Sequence, residues 1–148
     1  MLQTGCTRAQ LIAEALAWQG TPYHGGAALK GVGVDCIGLV IGVLKHVGLL
    51  APSYSPGYYS GEWHLHQNAE RLVAEVEAFG CVLRPLADRQ PGDLLLFQFG
   101  RVCAHSGFAL EGDQVIHAVR DFGQVLVTSL RGEWLERLRR VYVLPGVD

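Results

Sequence analysis

The chain contains 148 residues, with 12 basic and 14 acidic side chains and a formal net charge of −2. Its length fits one ordinary domain, so we expect a single domain over residues 1–148. The 49% share of hydrophobic residues excludes a disordered tail, and the near balance of charges gives no electrostatic footprint for nucleic acid.

Three helices are predicted in the first part of the chain, each closed by a glycine. The first begins at the capping-box pattern of Thr7 and Gln10 and ends at Gly20. The second is predicted from about Cys36 to Val47, and the third from about Trp63 to Phe79. The glycine-rich loop between the first two is expected to bend sharply or to approach another group closely.

After Gly80 the hydrophobic pattern changes to short stretches separated by turn signals, which is typical of strands. The predicted strands are Cys81 to Leu86, Asp93 to Phe99, Cys103 to Leu110, Gln114 to Val119, Gln124 to Leu130 and Arg140 to Leu144. Helices followed by a meander of strands predict an α+β domain.

The second helix begins at Cys36, with Asp35 placed to cap it. A thiol at a helix N-terminus faces unpaired N–H groups and the positive end of the helix dipole, which lower its pKa and favour the thiolate. Gly38 and Gly42 lie on the same helix at a cost of about 1 kcal/mol each, which is tolerated where another backbone must come close. Taken alone, Cys36 is more often an inert core residue than a nucleophile.

A nucleophilic cysteine needs an imidazole within hydrogen-bond reach, and the imidazole needs a polar group to orient it. His105 and His117 flank a Glu-Gly-Asp turn signal. An odd turn length, such as three, puts both on one face of the sheet, whereas a two-residue turn puts them on opposite faces. An odd register also lines that face with Cys103, Gly107 and Ala109, small enough to admit a helix end. If the cysteine helix were absent from the sequence, we would interpret both histidines as ordinary, partly buried residues.

Residues 35–40, Asp-Cys-Ile-Gly-Leu-Val, resemble the signature Asp-Cys-Ser-Gly-Leu-Val of the NlpC-type cell-wall cysteine peptidases, a papain-like family. Further blocks resemble the same family and follow its order along the chain. The other blocks are Thr-Pro-Tyr-His-Gly-Gly at 21–26, Gly-Asp-Leu-Leu-Leu-Phe at 92–97, Ala-His-Ser-Gly at 104–107 and Val-Ile-His-Ala at 115–118. The likeness spans roughly residues 8–120, and the short form of the chain is similar to the branch encoded with phage tails and gene transfer agents.

The resemblance implies a papain-like fold in which N-terminal helices, including the nucleophile helix, pack on a C-terminal antiparallel β-sheet. It makes Cys36 the nucleophile, His105 the base and later the acid, and His117 the orienting residue. Tyr23 and Asp35 are assigned to the substrate and oxyanion side of the site, where the backbone N–H of Cys36 is a further oxyanion donor. The implied reaction is hydrolysis of an amide in the peptide stem of peptidoglycan, commonly beside γ-D-glutamyl or diaminopimelyl residues, without a metal or organic cofactor.

Two positions depart from the family pattern. Ile37 replaces the usual serine, and His24 stands where a tryptophan is usual beside the glycine pair. Both positions lie near the expected substrate groove, so they bear on substrate preference more than on the nucleophile.

We expect the protein to fold in a reducing compartment and to be carried later to the place where it acts. The four cysteines show no Cys-x-x-Cys spacing, which argues against a zinc ribbon and a disulfide scaffold. The N-terminus lacks the layout of a signal peptide, and the longest apolar run, Cys36 to Leu44, is too short to span a membrane. We therefore expect synthesis in the cytoplasm and no membrane insertion. Together with these absences, the resemblance to the tail-associated branch implies transport in a phage-like tail with tail or hub proteins as partners.

Three weaker patterns have ordinary explanations. His64 and His66 are spaced wrongly for a metal pair on one helix face, so no metal site is predicted. The basic patch that begins at Arg131 is interleaved with acidic residues, which favours local ion pairs over contact with a wall polymer or a tail protein. Tyrosines in the loop 51–61 could form a groove rim or a docking surface, and loop packing explains them equally well.

The sequence as a whole predicts a thiol hydrolase that cuts peptidoglycan stem peptides and opens the cell wall locally. Two alternatives stay open. One is an amidase or acyltransferase with the same fold that acts on another amide or ester. The other is a catalytically silent structural subunit of a tail hub that keeps the fold for assembly.

Overall fold

The structure is a computed structural model that describes residues 5–55 and 71–148. The helices in this part of the chain are α1 (Arg8–Ala17), α2 (Cys36–His46), α3 (Arg71–Ala78) and α4 (Glu133–Arg137). The strands are β1 (Ala28–Leu29), β2 (Gly33–Val34), β3 (Val82–Arg84), β4 (Leu94–Phe99), β5 (Val102–Leu110), β6 (Gln114–Val119), β7 (Gln124–Ser129) and β8 (Leu138–Val143). Short 3₁₀ turns cover Leu86–Asp88 and Arg120–Phe122.

Six of these strands form one antiparallel sheet in the order β3-β8-β4-β5-β6-β7, while β1 and β2 pair as a small separate hairpin. The helix that carries Cys36 packs on the sheet mainly through β5 and β6. This arrangement confirms the predicted α+β class, with a helix from the N-terminal part against a C-terminal antiparallel sheet.

The predicted helix signals are present as physical contacts. The hydroxyl of Thr7 accepts from the N–H of Gln10 at 3.0 Å, and the side chain of Gln10 accepts from the N–H of Thr7 at 2.9 Å. Asp35 caps α2. α3 corresponds to the end of the third predicted helix, whose first part, from Trp63 onward, lies outside the described residues.

All six predicted strands occur in the main sheet, and their ends differ by a few residues. β3 is shorter than predicted because the 3₁₀ turn at Leu86–Asp88 follows it directly. β8 begins earlier than predicted, at Leu138, directly after α4. The sequence did not predict α4 itself, since five residues give no helical period and the preceding Gly132 provides no side-chain cap.

The two glycines of α2 lie at close contacts, with backbone at Gly38, as predicted, and with a side chain instead at Gly42. A Cβ atom at Gly38 would lie 2.1 Å from the carbonyl oxygen of Ala27, and a Cβ atom at Gly42 would lie 2.3 Å from the Trp18 ring. Both separations are far below van der Waals contact, so α2 can take this position only with hydrogen at these two sites.

The two faces of the sheet carry separate hydrophobic clusters. One cluster contains Leu94 and Leu96 of β4 together with buried residues of α2. The other contains Leu95 and Phe97 of β4, with Trp134 of α4 packed against it. Helices α2 and α4 therefore cover opposite faces of the sheet.

The turn between β5 and β6 has three residues, because Leu110 pairs with Gln114. This is an odd register, and it puts His105 and His117 on the same face. That face is the one covered by Trp134, not the one covered by α2. The expectation that the histidine face admits the start of the cysteine helix is therefore wrong.

A β-bulge separates the two ends of β5. Phe97 pairs with His105, but the next residue of β4 pairs with Cys103, which leaves Ala104 as an extra residue. Because of this shift, Cys103 joins the cluster on the α2 face, and its predicted place on the histidine face is wrong. Gly107 does lie on the histidine face, where an added Cβ atom would be 3.0 Å from the Cβ of His117.

Candidate active site

Cys36 is the first residue of α2, and its side chain reaches the bulge in β5. The thiol donates to the carbonyl oxygen of Ala104 at 3.7 Å, and the hydroxyl of Ser106 donates to the carbonyl oxygen of Cys36 at 3.0 Å. The cysteine is 7% exposed. Two contacts with β5 thus fix the start of α2 against the sheet, with the sulfur at the bulge.

Asp35 ties the start of α2 to the glycine-rich loop. Its Oδ1 accepts from the N–H of Gly38 at 2.7 Å, and its Oδ2 accepts from the N–H of Gly26 at 2.8 Å. The side chain is buried and lines the same cleft as Cys36. Both carboxylate oxygens hold backbone around the thiol, while the substrate contact predicted for Asp35 stays a prediction.

Tyr23 lies close to the thiol in the loop that precedes β1. Its backbone N–H donates to the carbonyl oxygen of Gly123 at 2.8 Å, which fixes the loop against the turn between β6 and β7. Burial, and to a smaller degree the charges of Cys36 and Asp35, raise the pKa of Tyr23. The phenol therefore stays protonated and can donate a hydrogen bond into the cleft.

The two histidines form a hydrogen-bonded row that ends on Thr128. Nε2 of His105 lies 2.8 Å from Nδ1 of His117, and Nε2 of His117 lies 2.8 Å from the hydroxyl oxygen of Thr128. The row crosses β5, β6 and β7, which are neighbours in the sheet. Since each ring nitrogen in the row faces a single partner, the row aligns both imidazole rings.

Aromatic side chains cover this row on the α4 side. The ring centroid of Trp134 lies 4.4 Å from that of His117 and 5.3 Å from that of His105. Phe97 and Phe99 also contact the His105 ring, at 5.5 and 5.7 Å between centroids. The hydrogen bond between the histidines is therefore shielded from solvent by apolar rings.

A cleft of about 550 Å³ opens at the end of the sheet where β4 and β6 finish and β5 begins. Cys36, His105, Tyr23 and Asp35 all line it. His117 is fully buried behind His105 and does not line the cleft. The structure thus brings four of the predicted site residues to one cavity and places the fifth directly behind it.

Burial dominates the electrostatics of the thiol. It raises the pKa of Cys36 to about 12, with a further contribution from the nearby charge of Asp35 and an opposing one from backbone hydrogen bonds of Ser106 and Ile37. The lowered thiol pKa expected from the helix N-terminus is therefore wrong, because loss of hydration outweighs the effect of the helix end.

Burial also keeps both imidazoles neutral. It lowers the pKa of His105 well below its usual range, with a smaller effect from His117, and it lowers the pKa of His117 to about 3. At neutral pH the cleft thus holds a thiol and two neutral imidazoles. Each isolated charge is unfavourable here, whereas transfer of the thiol proton to His105 would create two opposite charges that stabilise one another.

Sequence reasoning missed two residues of this arrangement. Thr128 carried only a weak signal, a hydroxyl among the aliphatic residues of β7. Trp134 gave none, since α4 was not predicted. Of the departures from the family pattern, Ile37 lines the cleft, and the Cβ of His24 lies where a side chain at Gly33 would collide with it.

The residues of the weaker sequence patterns lie partly inside and partly outside the described part of the chain. His64, His66, Tyr58 and Tyr59 lie outside the described residues. Tyr54 donates its hydroxyl to a carboxylate oxygen of Glu75 at 2.9 Å and packs on Phe79. Its observed contacts are those of loop packing.

The C-terminal basic patch makes local contacts. Arg137 lies 3.5 Å from Glu133, and Arg139 donates to the side chain of Gln98 at 3.1 Å.

Within residues 5–55 and 71–148, no group of three or more histidine, cysteine, aspartate or glutamate side chains is placed to hold a metal ion. In the same ranges, no helix has the length and apolar character needed to cross a membrane.

Comparison with protein families gives one match, to a family described as NlpC/P60, over residues 20–143. No curated protein sequence matches the chain. The family match includes Tyr23, Cys36, His105 and His117, and it extends through α4.

Solved structures of peptidoglycan hydrolases share the fold. The NlpC/p60 domain of the peptidoglycan hydrolase SagA has 23% sequence identity and a TM-score of 0.65, over 93% of this chain and 98% of that one. The peptidoglycan hydrolase RipB from Mycobacterium tuberculosis has 24% identity and a TM-score of 0.62, over 93% of this chain and 64% of that one.

A P60 domain of an antigen from M. avium subspecies paratuberculosis has 22% identity and a TM-score of 0.61, over 92% of each chain. At these identities the structural likeness shows the fold, which is the papain-like arrangement expected from the sequence.

Proposed function

The chain belongs to the NlpC/P60 family, and we propose that it is a cysteine peptidase that hydrolyses amide bonds in the stem peptides of peptidoglycan. One observation carries the proposal. The thiol of Cys36 and the imidazole of His105 line one cleft, and His105 begins the hydrogen-bonded row to His117 and Thr128. In the proposed reaction these residues act as the nucleophile, the base and the group that orients the base, which is the set that nucleophilic catalysis requires.

The row favours one tautomer for catalysis. When His117 donates its Nε2–H to Thr128, its Nδ1 is free to accept the Nε2–H of His105. Nδ1 of His105 then carries a lone pair and acts as the base. In this tautomer His117 orients His105 and does not itself exchange a proton with the substrate.

The reaction then has two stages. The Cys36 sulfur attacks the carbonyl carbon of the amide as its proton passes to Nδ1 of His105, which later gives that proton to the departing amine. Water next attacks the resulting thioester, giving a proton to His105, and the thiol regains a proton as the acid is released. The sum is an amide and water converted to a carboxylic acid and an amine.

The negative oxygen that forms during attack needs donors. The backbone N–H of Cys36 lies in the first turn of α2, where N–H groups have no partner within the helix. The protonated hydroxyl of Tyr23 is a second donor beside the thiol. These two groups form the oxyanion side of the proposed site.

The proposed bond class is an amide beside γ-D-glutamyl or diaminopimelyl residues, following the resemblance of the sequence blocks to the cell-wall peptidases. No metal or organic cofactor takes part in this chemistry. We test it by digesting purified muropeptides and identifying the products by mass spectrometry. A cleaved stem amide is expected with the unaltered protein and is expected to disappear with Cys36→Ala and with His105→Ala.

Matched controls separate chemistry from folding. Cys81→Ala removes another thiol that is also 7% exposed, and His46→Ala removes an exposed histidine. Both controls should retain cleavage. Intact muropeptides under all conditions would contradict the proposal and favour a silent structural subunit.

The proposed place of action is a phage-like tail that carries this domain to the periplasmic wall, with tail or hub proteins as partners. The support is the resemblance of the chain to the tail-associated branch of the family. Mass spectrometry of purified particles from the source cells is the test. Absence of the chain from such particles, together with its presence in another cell fraction, would overturn this part.

A further inference from the structure

Arg120 contributes a positive charge to the cleft. It begins the 3₁₀ turn Arg120–Phe122 after β6 and lines the cavity together with Cys36 and His105. The side chain is exposed, and none of the ion pairs in the part of the chain that the structure describes includes it. A guanidinium in this position is available for a ligand.

Backbone hydrogen bonds hold Arg120 near Tyr23. The N–H of Gly123 donates to the carbonyl oxygens of Arg120 and Val119, each at 3.0 Å, which closes the turn. The N–H of Tyr23 donates to the carbonyl oxygen of Gly123 at 2.8 Å. One short stretch of backbone therefore positions both side chains on the same wall of the cleft.

The charge of Arg120 reaches the phenol of Tyr23. It lowers the pKa of Tyr23, against the larger effect of burial, which raises it. Because burial prevails, the hydroxyl keeps its proton. This wall of the cleft thus presents two groups. The O–H of Tyr23 is the donor for the proposed oxyanion, and the guanidinium of Arg120 provides cationic N–H donors that a carboxylate accepts well.

The acidic residues of the cleft do not neutralise this wall. Both oxygens of Asp35 accept backbone N–H groups, and Glu133 lies 3.5 Å from the guanidinium of Arg137. Asp121 follows Arg120 in the chain, is exposed, and is not within ion-pair distance of it. The positive charge of Arg120 is therefore available to an anionic ligand, and the buried carboxylate of Asp35 already accepts two backbone N–H groups.

We propose that Arg120 binds a free carboxylate of the substrate next to the scissile amide, while Tyr23 donates to the oxyanion, and that Arg120 thereby selects stem peptides in which that carboxylate is present. The inference rests on the proposed function and narrows its substrate class. A γ-linked glutamyl residue keeps its α-carboxylate free, because the side-chain carbonyl forms the amide. Arg120 thus favours γ-glutamyl stems with a free α-carboxylate over stems in which it is amidated.

The first test compares two tripeptides, L-alanyl-γ-D-glutamyl-diaminopimelate and the same peptide with an α-carboxamide on the glutamyl residue. A charge-assisted hydrogen bond contributes about 1.5–3 kcal/mol, so the unaltered protein should prefer the carboxylate by about tenfold or more in kcat/KM, mainly through KM. Arg120→Gln should bring the ratio close to one, and Arg120→Lys should restore part of it. Arg131→Gln, an exposed arginine outside the cleft, should leave the ratio unchanged.

The second test does not depend on hydrolysis. Cys36 is alkylated with iodoacetate or with iodoacetamide at one alkaline pH, and peptide mapping separates its product from those of the other cysteines. Arg120→Gln should slow the iodoacetate reaction about tenfold relative to the iodoacetamide reaction. The two reagents differ in charge and little in size, so the ratio reports the anion site.

The outcomes separate the two proposals. Cleavage of both tripeptides at equal rates, with an iodoacetate ratio that ignores Arg120, overturns the carboxylate site and leaves the peptidase intact. Cleavage of neither tripeptide and of no muropeptide, with an iodoacetate ratio that depends on Arg120, overturns the proposed function and supports the anion site.

Discussion

Nε2 of His105 lies 2.8 Å from Nδ1 of His117, and the ring of Trp134 packs against both imidazoles. The two residues have different surroundings, because His105 lines the cleft and His117 is fully buried behind it. Of these two imidazoles, His105 is the one that can exchange a proton with a ligand in the cleft. This asymmetry makes the two histidines separable by experiment.

His117→Ala should reduce kcat less than His105→Ala. Loss of a general base costs about 10²- to 10⁴-fold, whereas loss of an outer hydrogen-bond partner costs about 10- to 100-fold. Single-turnover cleavage of a muropeptide by both variants measures the difference. Equal losses in two folded variants would mean that His117 takes part in proton transfer.

Alkylation of Cys36 should report a protonated thiol in the resting protein. Because burial raises the pKa of Cys36 to about 12, the rate with iodoacetamide should keep rising above pH 8.5, the ordinary range of a free cysteine. Rates from pH 6 to 10.5, with peptide mapping, provide the profile. A plateau reached below pH 8.5 would indicate a stable thiolate–imidazolium pair instead.

Acid should destabilise the fold through His117. Its pKa is about 3 when folded and near 6.5 when unfolded, so the unfolded chain binds the proton more readily between these values. The stability that the neutral ring provides is complete above about pH 6.5 and is lost progressively as the pH falls toward 3. Urea midpoints between pH 4.5 and 7.5 measure this slope.

The matched variant for this slope is His117→Gln, which cannot take up a proton in that range. It should reduce the pH dependence and leave the part that comes from His105, whose pKa burial also lowers, whereas His46→Gln, at an exposed position, should leave the dependence unchanged. An equally steep loss of stability in His117→Gln would assign the acid sensitivity to another group.

Gly38→Ala should destabilise the protein by about 1–3 kcal/mol, because the added methyl would overlap the carbonyl oxygen of Ala27. The change should also move the loop next to Tyr23 and lower activity. Gly25→Ala is the matched control, since an added Cβ at Gly25 meets nothing within 4 Å. Equal unfolding midpoints for the two variants would show that the close contact is not required.

Trp134→Ala should open the histidine pair to water and lower kcat by about tenfold, in the range found for groups that support a catalytic residue. The imidazole N–H protons, observed by NMR, should exchange faster with solvent in the variant. Leu135→Ala, at an exposed position of the same helix, should change neither quantity. Unchanged proton exchange in Trp134→Ala would show that its ring does not shield the pair.

Local patterns predicted much of the fold. Asp35 caps α2, the six strands of the main sheet lie where the period-two stretches predicted them, and Gly38 and Gly42 mark close contacts. These features depend on residues near one another in sequence, or on the absence of a side chain, and both leave a signal in a single chain.

Relations between layers could not be predicted in the same way. The choice of face depends on the bulge at Ala104 and on the docking of α4, and neither has a distinct sequence pattern. Thr128 reaches His117 only after β6 and β7 pair in their observed register. The thiol pKa also depends on how completely the fold excludes water from Cys36, which the helix position alone does not reveal.

The extra residue at Ala104 makes β5 sensitive to deletion of a residue, and no side-chain replacement would have the same effect. Removing Ala104 would restore regular pairing with β4 and shift the register of the preceding residues of β5 by one. The Cys36 thiol would then lose the carbonyl oxygen to which it donates. Deletion of this one codon should therefore abolish the proposed cleavage although Cys36, His105 and His117 are all still encoded.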